Sequence, residues 1–167
     1  EMALSGHSSA DKTLTMLRTL FKFNGGIKPD YRKEQTSGAA IAPCPLPSEL
    51  IIPLHQHVGG MPRPVVKAGD HVLKGQKIGD ADGSVSSTVH ASTSGKILAI
   101  EARCLPHPSG LDALCIVLQP DGRDEWVTAT PFQLDHADPG ALSDHLMNMG
   151  IVGLGGAVFP SHLKLKS

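Results

Sequence analysis

With 167 residues and 17.5 kDa, the chain can form one good core, or one small domain plus part of another. A formal net charge of −1 leaves no basic field for nucleic acid or an anionic membrane, and no apolar run approaches the ~20 residues of a membrane helix. Eighteen Gly, 13 Pro, one Trp, one Tyr and four Phe favour turns and short strands around a core of Val, Ile, Leu and Ala over a helical bundle.

Residues 1–20 read as a polar extension rich in small residues, with no function of their own. Leu14, Leu17, Leu20 and Phe21 have roughly helical spacing, enough for a short helix. Phe23-Asn24-Gly25-Gly26-Ile27-Lys28-Pro29 follows, where paired glycines allow positive φ or close approach of another backbone. The pair serves as a turn or, alternatively, as a ligand contact. Residues 36–41 are small and loop-like. Alternate prolines at Pro43, Pro45 and Pro47 remove main-chain donors, so this stretch runs extended along the β domain.

Glu49-Leu50-Ile51-Ile52-Pro53-Leu54 is a strand candidate leading to His55-Gln56-His57. Alternate strand residues share a face, so the two histidines are a candidate metal pair. With no third ligand nearby, they read instead as polar side chains on the solvent face.

Residues 64–100 form the centre of the pattern. Val65-Val66-Lys67-Ala68 stops at Gly69-Asp70, and Val89-His90-Ala91-Ser92-Thr93 stops at Ser94-Gly95. Val72, Leu73 and Ile78 lie between them, interrupted by Lys74, Gly75, Gln76 and Lys77. Short apolar runs broken by Gly and Asp predict small antiparallel strands and tight turns. Leu111 to Gln119 is a strongly apolar strand, Pro120-Asp121-Gly122 a turn and Trp126-Val127-Thr128 a further short strand. The β region thus spans about residues 50–128, with roughly eight strands.

The texture then changes. Asp138-Pro139 is a helix start, with Asp as the cap and Pro in the first turn. Leu142, Leu146 and Met149 make one apolar stripe, and Gly150 stands where a C-terminal glycine belongs. Gly150, Gly153, Gly155 and Gly156 follow within seven residues. Such a loop can be simply mobile, or its amides can cradle a phosphate or lie against a ring. No further strand or helix follows, which predicts the first part of a longer protein. Cys44, Cys104 and Cys115 are widely spaced, with no Cys-x-x-Cys, and read as buried free thiols of a reducing compartment.

Gly69-Asp70, Val72, Gly75-Gln76 and Gly95 resemble fixed points of the biotinyl/lipoyl carrier fold. The resemblance implies a mainly β barrel-sandwich hybrid domain, here with one C-terminal helix and a glycine-rich loop. A carrier also needs a lysine near Gly83 to Val85, but that segment reads Asp82-Gly83-Ser84-Val85-Ser86-Ser87. Without an amine to acylate, a covalent carrier role is excluded.

A broader resemblance covers about residues 21–165. Phe23 to Ile27, Leu46-Pro47, Leu50-Ile51-Ile52-Pro53-Leu54, Gln56-His57, the Gly69 to Gln76 block and Gly153-Leu154-Gly155-Gly156-Ala157-Val158-Phe159-Pro160-Ser161 with Lys164 look like the C subunit of the Rnf electron-transport complex. The glycine loop is also similar to the flavin loop of the NADH-binding flavoprotein of respiratory complex I. Two positions depart: Val158 stands where the family usually has Gly, and Lys28 where a His is common.

This resemblance implies an extension at 1–20, a barrel-sandwich domain at 21–135, and a helix with the start of an FMN- and NADH-binding domain at 136–167. It assigns Gly153, Gly155, Gly156 and Lys164 to FMN, the amides against the cofactor and the lysine near phosphate. Two four-iron, four-sulfur clusters would follow beyond this chain. No catalytic or metal residue and no bound cofactor is expected within it. The complete protein would pass electrons between NADH and ferredoxin- or flavodoxin-type carriers, coupled to ion translocation by other subunits. It would sit peripherally on the cytoplasmic side of a bacterial inner membrane. Two alternatives remain: a non-catalytic lipoyl-like docking module, and the A subunit of the sodium-pumping NADH:quinone reductase, which is not expected to keep the glycine loop so well.

Overall fold

The computed structural model describes residues 25–26, 30–133 and 138–165. The helix expected around Leu14, Leu17, Leu20 and Phe21, and the residues flanking the paired glycines, lie outside that range. Gly25 itself has φ 102°, the positive value that a turn requires. The chain divides into two compact units, Glu1–Pro43 and Cys44–Ser167. In the first, the described residues hold one exposed helical turn, α1 (Glu34–Ser37), where a loop was expected from residue 36.

The second unit is built from seven strands: β1 (Leu50–Pro53), β2 (Arg63–Pro64), β3 (His71–Val72), β4 (Lys77–Asp80), β5 (Val89–His90), β6 (Gly95–Cys104) and β7 (Asp112–Pro120). They form two antiparallel sheets, ordered β1-β7-β6-β3 and β2-β4-β5. Ile52, Leu54, Val72, Ile78, Val89, Ala91, Ile97, Ile116 and Leu118 close over one another between the sheets. Full burial of a Val, Leu or Ile side chain is worth about 1.5–3 kcal/mol, so this cluster is the main source of stability. The mainly β barrel-sandwich architecture expected from the sequence is present, with one full helix, α2 (Pro139–Asn148), after it.

The Gly-Asp and Gly-Gln points both turn the chain. Gly69 adopts φ 95°, and the Asp70 carboxylate accepts from the Lys67 amide at 2.9 Å. Gly75 adopts φ 77°, and Gln76 Oε1 accepts from the Leu73 amide at 3.0 Å. Gly95 behaves differently from its expected role. It opens the longest strand, and a Cβ there would collide with the Gln119 carbonyl across the β6–β7 pair. Its lack of a side chain permits close strand approach and does not end a strand.

Other expectations need correction. The run at Val65 and Val66 lies outside the strands, which sit at β2 and β3 on either side. Trp126 makes only an isolated parallel bridge to Lys74, so the strand region ends at Pro120. Cys115 is buried, but Cys44 and Cys104 are exposed.

The histidine pair is also split. β1 ends at Pro53, so strand alternation does not carry through to residues 55 and 57. His55 is exposed, whereas His57 is buried, its Nε2 accepting from the Ser87 amide at 3.0 Å. That acceptor role puts the ring proton on Nδ1, which donates to the Val58 carbonyl at 3.0 Å. Among the described residues, no group of three or more His, Cys, Asp or Glu is placed to hold a metal.

The segment where a carrier would display its lysine is tied down. The Gly60 amide donates to the Val85 carbonyl at 2.8 Å, and Ser86 Oγ donates to the Gly60 carbonyl at 2.9 Å. Arg63 grips Asp82 through two hydrogen bonds, at 2.9 and 2.8 Å. This fork geometry fixes orientation as well as distance.

Candidate functional site

The candidate loop hangs from α2, and the helix forms where the sequence signals place it. Asp138 Oδ1 accepts from the Gly140 and Ala141 amides at 2.7 and 3.0 Å, using donors that the first turn leaves unpaired. At the other end, Gly150 adopts φ 69°. A Cβ there would approach the Thr88 carbonyl to 2.8 Å and His90 Nδ1 to 3.0 Å, so both conformation and space demand glycine. The Leu142–Leu146–Met149 stripe is only half-buried, and Met149 is 49 % exposed. The residue that α2 buries is Ser143.

Polar contacts with the barrel hold the helix end. Thr88 Oγ1 lies 3.0 Å from the Met147 carbonyl and 2.9 Å from that of Asn148, two carbonyls of the last turn. His90 packs against the same turn; burial lowers its pKa from the ordinary 6.5, partly offset by a main-chain hydrogen bond at Asn148.

The glycine loop is closed at its base. Val152 bridges Pro160, the Gly153 amide donates to the Phe159 carbonyl at 2.8 Å, and the Ser161 amide donates to the Ile151 carbonyl at 3.0 Å. Higher up, the Val158 amide donates to the Gly155 carbonyl at 3.0 Å, and the Val58 amide reaches the Ala157 carbonyl at 3.1 Å. A 3-10 turn, Ser161–Leu165, then carries Lys164 back beside the loop. Lys164 Nζ lies 3.6 Å from the position a Gly153 Cβ would take, and 6.0 Å from the Phe159 ring centroid.

The four sequence-predicted residues therefore divide by task. Gly153 spends its amide on the loop itself. Among the described residues, the Gly155 and Gly156 amides have no main-chain acceptor, and nothing lies within 4 Å of where their Cβ atoms would stand. Lys164 is brought alongside Gly153. Val158 has φ 45°, a left-handed conformation that costs a β-branched residue about 1–2 kcal/mol. The hydrogen bonds on both sides of it hold it there. Gly155 and Gly156 thus leave an open stretch of backbone with Lys164 beside it, while the Gly153 amide is engaged by Phe159.

Sequence reasoning missed a second concavity of about 350 Å³, whose lining includes Gly75, His90, Ala91, Trp126 and Met149. Trp126 lies 3.1 Å from where a Gly75 Cβ would stand, and Lys74 Nζ sits 4.8 Å from the Trp126 ring centroid. Lys74 also pairs with Asp124 at 2.6 Å, which with Thr93 holds that carboxyl below its usual range. The signal was the lone Trp of a chain poor in aromatics.

Residues 21–123 match the family model described as the RnfC Barrel sandwich hybrid domain. The C subunit of the ion-translocating oxidoreductase complex of Rhodobacter capsulatus is 42 % identical over 146 residues, covering 87 % of this chain and 28 % of that protein. The C subunit of the Na(+)-translocating ferredoxin:NAD(+) oxidoreductase complex of Acetobacterium woodii is 44 % identical over 145 residues, or 86 % and 32 %. Its counterpart in the ion-translocating oxidoreductase complex of Vibrio cholerae is 43 % identical over 149 residues, or 89 % and 19 %. The chain thus spans between 19 % and 32 % of the length of these relatives. Among the described residues, no helix is long and apolar enough to cross a membrane. With its barrel matched over more than half its length, the chain belongs to the RnfC barrel-sandwich hybrid family.

Proposed function

We propose that the chain is the opening part of a membrane-associated electron-transport protein. That protein passes electrons between NADH and ferredoxin-type carriers through FMN and iron–sulfur clusters, coupled to ion translocation. The class of reaction comes from the relatives, one of which is named as part of a sodium-translocating ferredoxin:NAD(+) oxidoreductase complex. The partners are the other subunits of such a complex and ferredoxin- or flavodoxin-type carriers, met at the cytoplasmic side of a bacterial inner membrane.

One observation in this chain carries the flavin reading: a closed loop holds two glycine amides that have no main-chain acceptor among the described residues, and a lysine brought back beside it. The Gly155 and Gly156 N–H groups would donate to phosphate oxygens, and the Lys164 ammonium would balance their charge. The absence of Cβ atoms lets the cofactor approach the backbone. When bound, FMN supplies the exchange between hydride and single-electron chemistry. The remaining polar side chains from Gly153 to Lys164 are Ser161 and the buried His162, so the loop binds and orients without moving protons. The cluster ligands come from beyond Cys44, Cys104 and Cys115.

Titration with FMN and with riboflavin, which lacks the phosphate, tests this. The 167-residue chain shows no tight binding, whereas the protein extended to the length of its relatives takes up stoichiometric FMN. Lys164→Gln in the longer protein weakens FMN by about tenfold or more, as expected for a hydrogen bond to a charged group, and leaves riboflavin unchanged. A longer protein without flavin, or equal losses for both ligands, overturns the reading.

A further inference from the structure

The chain has one Trp and places it outside the core. Trp126 is 66 % exposed, yet the loop that carries it is braced from both sides. The Lys74 amide donates to the Glu125 carbonyl at 2.8 Å, and the Val127 amide donates to the Lys74 carbonyl at 2.9 Å. The Glu125 amide donates to Ser94 Oγ at 3.0 Å. Lys74 and Thr93 both donate to Asp124, which adopts a left-handed φ of 54°. The indole itself takes the space that a side chain at Gly75 would fill. A large aromatic ring gains most from burial, so one held firmly at the surface presents its face to something else.

That ring is one wall of the concavity of about 350 Å³, a size that holds small ligands. Ala91, Val127 and Met149 add apolar walls. The lining carries no uncompensated charge. Lys74 is paired with Asp124, and burial lowers the His90 pKa, which leaves that ring neutral at pH 7. Ser92 supplies a polar edge to the same concavity. Among the described residues its amide, carbonyl and hydroxyl have no hydrogen-bond partner, so both donors and acceptors stand unused there. A charged ligand would find no free counter-charge, and a purely apolar one would leave the polar atoms of Ser92 unpaired.

We propose that this concavity binds an uncharged, flat heteroaromatic ring of the nucleobase kind, stacked on Trp126 and read along its edge by Ser92. Stacking uses the π-face that every such ring presents, so Trp126 supplies affinity and Ser92 supplies selection. The lining runs from Lys74 to Met149, ahead of the glycine loop, so the proposal does not rest on the flavin reading.

Trp126 is its own reporter, because no other tryptophan emits. The 167-residue chain, whose barrel closes its own core, is titrated with adenosine under excitation at the red edge of the indole band. Emission is expected to change along a saturable curve, half-complete at about 1 mM or below. Ser92→Ala weakens binding about fivefold, as expected for one lost hydrogen bond. Ser92→Phe and, separately, Ala129→Leu fill the concavity from exposed positions in its lining and abolish the response, while urea unfolding shows the barrel intact. A linear, unsaturated response overturns the proposal. A saturable response that both filling variants leave unchanged overturns it as well, because the ligand then sits elsewhere. AMP, the same base with a charged phosphate, is expected to bind no more tightly than adenosine. Binding of AMP about tenfold tighter would show that a cation, and not the ring, recruits the ligand, and would overturn the proposal too.

Discussion

The barrel and the segment behind it are held by different forces. In the barrel, nine apolar side chains from both sheets close over one another, Leu54, Ile78, Ile97, Ile116 and Leu118 completely. From Asp138 to Leu165, the buried residues are Ser143, Pro160 and His162, and the shape is set by hydrogen bonds to Thr88, Val58 and the loop itself. Apolar burial is non-directional and survives small shifts, whereas a few polar contacts fix geometry without supplying much stability. The barrel is a self-sufficient platform, and the loop borrows its order from that platform.

Breaking the barrel has the largest effect. Ile97→Ala leaves a cavity in a fully buried position and lowers global stability by about 2–5 kcal/mol, read by urea unfolding. Thr88→Val next removes the hydroxyl that serves the helix end. It costs about 1–2 kcal/mol locally, seen as faster amide exchange in Pro139–Asn148 with little change in the strands. A drop in barrel stability equal to the local loss would mean that the two regions unfold as one.

Val158→Gly acts in the opposite direction and more weakly. It relieves the left-handed strain but gives the unfolded chain more freedom, so loop amides gain less than about 1 kcal/mol of protection. Loss of protection would show that the Val158 side chain, and not the backbone, shapes the loop.

The smallest effect is the pH response at their junction. Because burial lowers the His90 pKa, the folded state binds fewer protons there than the unfolded chain. The resulting penalty is absent above the ordinary 6.5 and grows as pH falls below it. Asp121, held down by the Ser94 hydroxyl, and Asp124, held down by Lys74, lose their contribution only at more acid pH, below the ordinary 3.8. Melting temperature should therefore decline in two steps as pH falls, and His90→Gln should flatten the first, which begins below the ordinary 6.5. An unchanged first step would show that another group titrates there.

Local chemistry was legible and long-range chemistry was not. The Gly69-Asp70 turn, the Asp138 cap and Gly150 are written in residues a few positions apart, and each is found as read. Gly95 was misread because the atom that demands its missing side chain, the Gln119 carbonyl, is remote in sequence. His57 was misread because strand alternation was extended past Pro53, where the chain leaves the sheet and turns the ring inward to Ser87. The glycine loop from Gly153 and the lysine after it were legible as a succession of residues. That Gly153 would consume its own amide was not, since its acceptor, the Phe159 carbonyl, is positioned only once the loop has closed.

The pinned segment around Val85 sets a limit on how this barrel can work. Hydrogen bonds at Gly60 and Ser86 and the Arg63–Asp82 fork tie that stretch to the rest of the barrel. A barrel of this outline with a tethered arm would act as a courier, and its output would depend on how far and how fast the arm travels. This barrel offers no such arm: the stretch carries no lysine, and its Ser86 hydroxyl is bonded to the Gly60 carbonyl.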